Sequence, residues 1–267
     1  MAKTSRQQCW TEATAEEWNE KAKSTQCFYG SASTQHYRNS EIGLFREFFG
    51  ELKGKMFLKS DLWNEVNNTR ILAWMSQQGA KAHGFDISDY LVENTKKNFR
   101  EAGLKADIKL ADMRKLPYPD NHFDYIYSMG TIEHIPDYDK AVREFHRVLK
   151  PGGTAIIGTP NKHDPFLRPL LVWGLELFDK YPYSPELCFS RRELRKILED
   201  GGFEFRDYTG ILFFPGILRI LDVFLYKHFM PLSIVTKLAL KPFEFLERNF
   251  AFFRRRGYLI ACVAIKR

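Results

Sequence analysis

Residues 55–89, KMFLKSDLWNEVNNTRILAWMSQQGAKAHGFDISD, decide the fold. A short apolar run, Met56, Phe57 and Leu58, sits between lysines and predicts a strand. A turn with Ser60 and Asp61 follows, then a helical run over 63–78. Its apolar stripe is Leu62, Val66, Ile71, Leu72 and Met75, with Asn67, Asn68 and Thr69 on the polar side. Residues 80–85 read as a second apolar strand and end at an acid, Asp86. Strand, helix and strand within roughly 30 residues is the repeating unit of a parallel sheet. Such units bind nucleotides beyond the carboxyl ends of their strands, where an acid closing the second strand can hold ribose hydroxyls.

The turn after the first strand carries no glycine; it reads KSDLWNE from Lys59 to Glu65. A dinucleotide or adenosyl site normally has a glycine-rich turn here, which lets backbone N–H groups approach the ligand. An acidic turn repels phosphates, which argues against a dinucleotide or ATP. It tolerates a cation such as a sulfonium.

Upstream, Thr14 can cap a helix through Glu17, and 41–52 repeats apolar residues at helical spacing. Between them, CFYGSASTQHYRNS (27–40) reads as a polar loop that can close over a ligand, with Tyr29, His36 and Tyr37 as candidate substrate contacts. Downstream, Ser88 caps a helix that stops at Gly103, and 106–111 is a short strand. Residues 123–129 form another strand, 137–149 an amphipathic helix, and 154–158 a fully apolar strand. Alternating strands and helices of these lengths imply a doubly wound sheet.

The segments FDIS (85–88), ADMRKLPYPDNHFDYIYSMGTIEHIPD (111–137) and REFHRVLKPGGTAIIGTPN (143–161) carry a resemblance. In order and spacing they are similar to class I S-adenosylmethionine-dependent methyltransferases, nearest the small-molecule "type 11" branch of ubiquinone and menaquinone C- and O-methyltransferases. The similarity covers roughly residues 40–165. It implies that Asp86 binds both ribose hydroxyls and that Ile87 packs on adenine. Asp112, with Met113 beside it, accepts from the adenine amino group. Ser128 and Met129 lie where the methionine part of the cofactor is held. Glu133 and His134 match an acid–histidine pair beyond the fourth strand and are the candidate catalytic residues. They could bind a divalent ion, but two ligands do not make a site, and no metal is expected. Asp61 and Glu65 stand where the family has glycines and could accept from the cofactor's ammonium or ribose.

The chemistry needs little machinery, because the sulfonium already makes its methyl group electrophilic. The protein must align nucleophile, methyl carbon and leaving sulfur and exclude water; a base is needed only for a nucleophile that arrives protonated.

Beyond Asn161, residues 166–178 predict an apolar helix, followed by KYPYSPELC (180–188). Ser190 caps a further helix, 203–209 is a strand, and 257–267 is a final strand that the family places antiparallel. The insertion at 210–256 mixes large apolar residues with single basic ones, and Pro215, Pro231 and Pro242 divide it into short helices. It reads as a packed helical subdomain, or as a lid or membrane-contacting face built from Phe213, Phe214, Ile217, Leu218 and Leu221.

Formal net charge is +7 over 267 residues, which suits an anionic surface, but no nucleic-acid-binding signature accompanies it. The four cysteines, Cys9, Cys27, Cys188 and Cys262, form no close pair and fit free thiols in the cytosol. The N-terminal residues lack the apolar core of a signal peptide.

The expected fold is therefore α/β: a Rossmann-like, seven-stranded, mostly parallel sheet flanked by helices. An N-terminal helical flap (1–54) precedes a cofactor-binding core (55–165) and a C-terminal part (166–267) that carries the insertion. The expected activity is methyl transfer from S-adenosyl-L-methionine to a small, lipophilic acceptor, in the cytoplasm and in contact with a membrane surface. The rivals are a non-catalytic module that keeps the fold and a nicotinamide-dependent oxidoreductase, which the acidic turn and the 111–137 motif disfavour.

Overall fold

The computed structural model describes residues 13–177 and 186–267. Two helices, α1 (Ala15–Ser24) and α2 (Ala32–Phe48), precede β1 (Met56–Ser60), α3 (Trp63–Asn67), α4 (Ile71–Gln77), β2 (Lys81–Asp86), α5 (Asp89–Glu101) and β3 (Asp107–Leu110). Then come β4 (Phe123–Met129), α6 (Tyr138–Val148), β5 (Leu149–Pro160), α7 (Arg168–Leu177), α8 (Arg191–Asp200) and β6 (Glu204–Ile211). The insertion supplies α9 (Gly216–His228), α10 (Ser233–Asn249) and α11 (Ala251–Arg254), and β7 (Leu259–Ile265) closes the chain.

The sheet has seven strands in the order β3-β2-β1-β4-β5-β7-β6. All pairings are parallel except those of β7, which runs antiparallel to β5 and β6. Alternation along each strand feeds two cores. Phe57, Tyr127, Met129, Ile156 and Val263 pack under α2–α5, whereas Leu58, Ile126, Ile157 and Cys262 pack under α6 and α8. Gly84 lets the first helices sit close on β2, because a Cβ there would meet Leu62 and Leu72 at 2.8 Å. Where the order reverses, between β1 and β4, the strand ends splay and leave a crevice at their carboxyl edge.

Four local expectations need correction. The helix expected over 63–78 is two helices, because Arg70 takes a left-handed φ of 52° between α3 and α4. Asn67, Asn68 and Thr69 are consequently buried in that break and not on a solvent face. The loop expected at 27–40 is helical from Ala32 onward. Ser31 accepts from Thr34 N–H as its cap, and the polar residues that masked its periodicity, Ser33, Thr34 and His36, are buried against partners. Pro242 does not divide the insertion but lies inside α10, held through by the buried Leu240 and Glu247 on either side of it. Phe213 and Phe214, assigned to an exposed face, are buried. The 180–185 part of KYPYSPELC lies outside the described residues, as do residues 1–12 with Cys9. Cys27, Cys188 and Cys262 are free. Among the described residues no helix is long and apolar enough to cross a membrane.

Candidate active site

The ends of β1, β2, β3 and β4 open into one cleft of about 1200 Å³, mouth included. The sheet contributes Asp61, Asp86, Ile87, Asp112, Met113 and Met129; the helical side contributes Trp18, Tyr37 and Arg219 from α1, α2 and α9.

Asp86 ends β2, and its carboxylate accepts from the N–H groups of Leu62 (2.7 Å) and Ser88 (2.9 Å). Those bonds tie the first turn to the second strand. Burial pushes its pKa up to about 6, against the pull of the two N–H donors. Asp112 is more exposed, and its oxygens are gripped by Arg114, Nε at 3.0 Å and Nη2 at 2.5 Å. Burial opposes its charge, but Arg114 outweighs that and holds the pKa below the ordinary aspartate value.

The glycine-less turn keeps the backbone shape that glycine would supply. Asp61 adopts φ 54°, a left-handed conformation that aspartate tolerates better than most residues. Its acid is not alone. Lys59, 1% exposed, reaches Asp61 Oδ2 at 3.3 Å and the Asp61 carbonyl at 2.8 Å, and Thr131 donates to the same carboxylate at 3.1 Å. Burial disfavours the charge on Lys59, yet Asp61, Glu65 and Glu41 together raise its pKa above the usual lysine value. The turn is thus an ion pair and not a bare acid.

Glu65 does not reach the cleft. Its carboxylate turns back to accept from the N–H groups of Leu72 (2.9 Å) and Ala73 (3.3 Å), capping α4, whose own N-cap residue Arg70 offers no side-chain cap. Ser128 is also absent from the lining; it is buried, and β4 presents its neighbour Met129 instead. Of the three candidate substrate contacts, only Tyr37 lines the cleft. Tyr29 lies beneath the guanidinium of Arg70, 4.7 Å from its ring centre. His36 is buried between Glu244 (3.4 Å) and Glu247 (3.0 Å) of α10.

At the far end, Glu133 and His134 line the cleft on a short 3₁₀ turn, with His134 edge-on to Trp18 at 5.1 Å. Glu133 is buried, one carboxylate oxygen has no hydrogen-bond partner, and burial, with Glu186 nearby, lifts its pKa well above the ordinary glutamate value. Glu186 brings a third donor, all within 4.8 Å, an arrangement able to hold a metal ion, although Arg168 already pairs with Glu186.

Residues 66–157, from the end of α3 into β5, match the family described as a methyltransferase domain. The chain carries a class I methyltransferase domain of the type 11 branch. It is 29% identical over 145 residues to the ubiquinone/menaquinone biosynthesis C-methyltransferase UbiE of Shewanella frigidimarina, covering 47% of this chain and 57% of that protein. It is 30% identical over 134 residues to a sterol 24-C-methyltransferase of Pneumocystis carinii, covering 47% and 34%. The matched stretch therefore spans about half the length of the first of these relatives and a third of the second. In fold it is similar to the [4+2]-cyclase SpnF, with a TM-score of 0.60 at 18% identity over 93% of this chain and 90% of that one.

The methyltransferase domain holds Asp86, Ile87, Asp112, Met113, Met129, Glu133 and His134, whereas Trp18, Tyr37, Asp61 and Arg219 lie outside the matched stretch. Sequence reasoning missed Trp18, Trp63, Asn64, Thr131, Arg219 and Tyr258 as cleft residues. Arg219 had a signal: with Asp222 it is one of two charges three apart in the otherwise apolar first turns of α9, before the basic residues of its last turn, which marks that side of α9 as inward.

Proposed function

We propose that this protein transfers a methyl group from S-adenosyl-L-methionine to a small, lipophilic acceptor. One observation carries the reading: the acids that close β1, β2 and β3, and Met129 at the end of β4, face a single cleft in a chain with a methyltransferase domain. Asp86 would accept from the ribose hydroxyls, Ile87 and Met113 would sandwich the adenine, and Asp112 would share its oxygens between Arg114 and the adenine amino group. Asp61 would take the ammonium of the methionine part. Arg219 would take the carboxylate, supplying the positive charge that missing glycine N–H groups would otherwise provide. The acceptor would lie between Trp18, Tyr37 and His134, with its nucleophile in line with the methyl carbon and the sulfur. If that nucleophile arrives protonated, His134 beside Glu133 is placed to take the proton. The apolar lining supports a lipophilic acceptor. Such a molecule resides in a bilayer, so the enzyme would work in the cytoplasm at a membrane surface.

The rival, a non-catalytic module, draws support from the glycine-less turn, and fold alone does not imply function. Incubation with S-adenosylmethionine labelled in its methyl group and a total lipid extract separates the two. Label should pass to the organic phase with wild type and not with Asp86→Ala. Cofactor binding with no transfer to any lipid or aqueous fraction would leave the non-catalytic reading standing.

A further inference from the structure

Two helices of the insertion, α9 and α10, expose an apolar stripe while burying charged and polar side chains. On α9 the residues Ile217, Ile220, Leu221 and Phe224 follow one helical stripe and all are exposed, whereas Asp222 on the other side is fully buried. On α10, Ile234, Leu238 and Phe245 are exposed and Thr236, Leu240 and Glu247 are buried. A surface helix of a water-soluble domain turns its apolar stripe inward and its charges outward. Here the polar side faces in because its groups are needed there. Asp222 accepts from Thr236 (2.6 Å) and from Ser33 N–H (2.7 Å) at the start of α2, and Glu247 accepts from Phe213 N–H and meets His36. The arrangement is not scattered exposure. Of the eighteen exposed large apolar side chains among the described residues, all but Leu110 lie between Leu167 and Phe252. The stripe of α7, Leu170, Trp173 and Leu177, adjoins that of α9, since Leu171 packs on Gly216 at the start of α9.

Charge decides what covers this face. The insertion has three acids, Asp222, Glu244 and Glu247, and each is paired within the fold. Lys227, Lys237, Lys241 and Arg248 are exposed among the apolar side chains. A second copy would bring this same basic patch against itself across a two-fold axis, with no acid to meet it. An anionic bilayer meets both features at once: acyl chains for the aromatic and aliphatic stripe, headgroups for the lysines.

We infer that α7, α9 and α10 form an in-plane docking face for an anionic phospholipid membrane. The inverse side of α9 lines the cleft through Arg219, so the face that meets lipid is the outer wall of the site. This docking stands independently of methyl transfer.

Co-sedimentation of the full chain with vesicles of phosphatidylcholine, alone or mixed with phosphatidylglycerol, tests it. Wild type should sediment with the mixed vesicles, weaken as salt rises and still retain part of its binding, because the apolar contribution is not screened. Phe224→Ser with Phe245→Ser, and separately Lys237→Glu with Lys241→Glu, should each lower partitioning by more than about tenfold. Both pairs point outward, so their affinity for S-adenosylmethionine should not change; that titration reads the cofactor site apart from the membrane. Equal binding of wild type to neutral and anionic vesicles overturns the inference, as does none to either. A concentration-dependent dimer that Phe224→Ser with Phe245→Ser dissolves, in a protein that ignores vesicles, assigns the face to a second copy instead.

Discussion

His36 is the residue through which pH should loosen the insertion. It sits on α2, and its two ring nitrogens meet Glu244 at 3.4 Å and Glu247 at 3.0 Å on α10. Burial alone would lower its pKa, but the two carboxylates outweigh that and raise it from 6.5 to about 9. A histidine whose pKa is raised in the folded state stabilises fully below its unfolded value of 6.5. That stabilisation declines as pH rises and is gone above about 9. The shift corresponds to about 3 kcal/mol, at 1.36 kcal/mol per pH unit. Replacing His36 by Gln keeps a hydrogen-bonding group of similar reach and removes the charge. In urea unfolding followed by circular dichroism, wild type should exceed His36→Gln by about 3 kcal/mol below pH 6.5, and the two curves should converge above about pH 9. A difference that stays constant across that range would refute the charged triad and leave only packing.

Other expectations concern the cleft. Because the ribose would donate to an ionised Asp86, and Asp86 titrates near 6 in the free protein, cofactor affinity should fall about tenfold per pH unit below that value; a flat profile removes Asp86 from the contact. Glu65→Gln should cost about 1–3 kcal/mol of stability by weakening the cap on α4, with cofactor affinity unchanged in calorimetry. Asp61→Asn should weaken S-adenosylmethionine and its demethylated product about equally, since both carry the ammonium, and a larger loss for S-adenosylmethionine would mean that the acid senses the sulfonium instead. Arg219→Ala should weaken S-adenosylmethionine by about 1.5–3 kcal/mol and leave 5′-methylthioadenosine, which lacks the carboxylate, unaffected; parallel losses would make Arg219 structural.

The sheet was legible because its strands are short apolar runs bounded by Gly, Pro and Asp: β2 and β4 fall within a residue of their expected limits, whereas β5 begins at Leu149, five residues before the expected start. The acids at the strand ends were legible for the same reason: Asp86 and Asp112 terminate periodic segments, so topology alone brings them to one edge. What local pattern could not supply was pairing across distance. Glu65 and Asp61 look alike as acids in one turn, yet one caps a helix seven residues on and the other faces the cleft over a buried lysine. His36 reads as a loop histidine until Glu244 and Glu247, more than two hundred residues away, fold back onto it. The insertion resisted for the opposite reason. Its periodicity is regular, but its apolar stripe points outward, and sequence gives a stripe without saying which way it faces.

We propose the cleft at the ends of β1–β4 as the site for S-adenosylmethionine. Isothermal titration of that ligand into the full chain and into Asp86→Ala tests it most directly. Saturable binding at one site per chain, weakened by about 1.5–3 kcal/mol in the variant, is the predicted result. No binding to wild type, or the same affinity in both proteins, would contradict it.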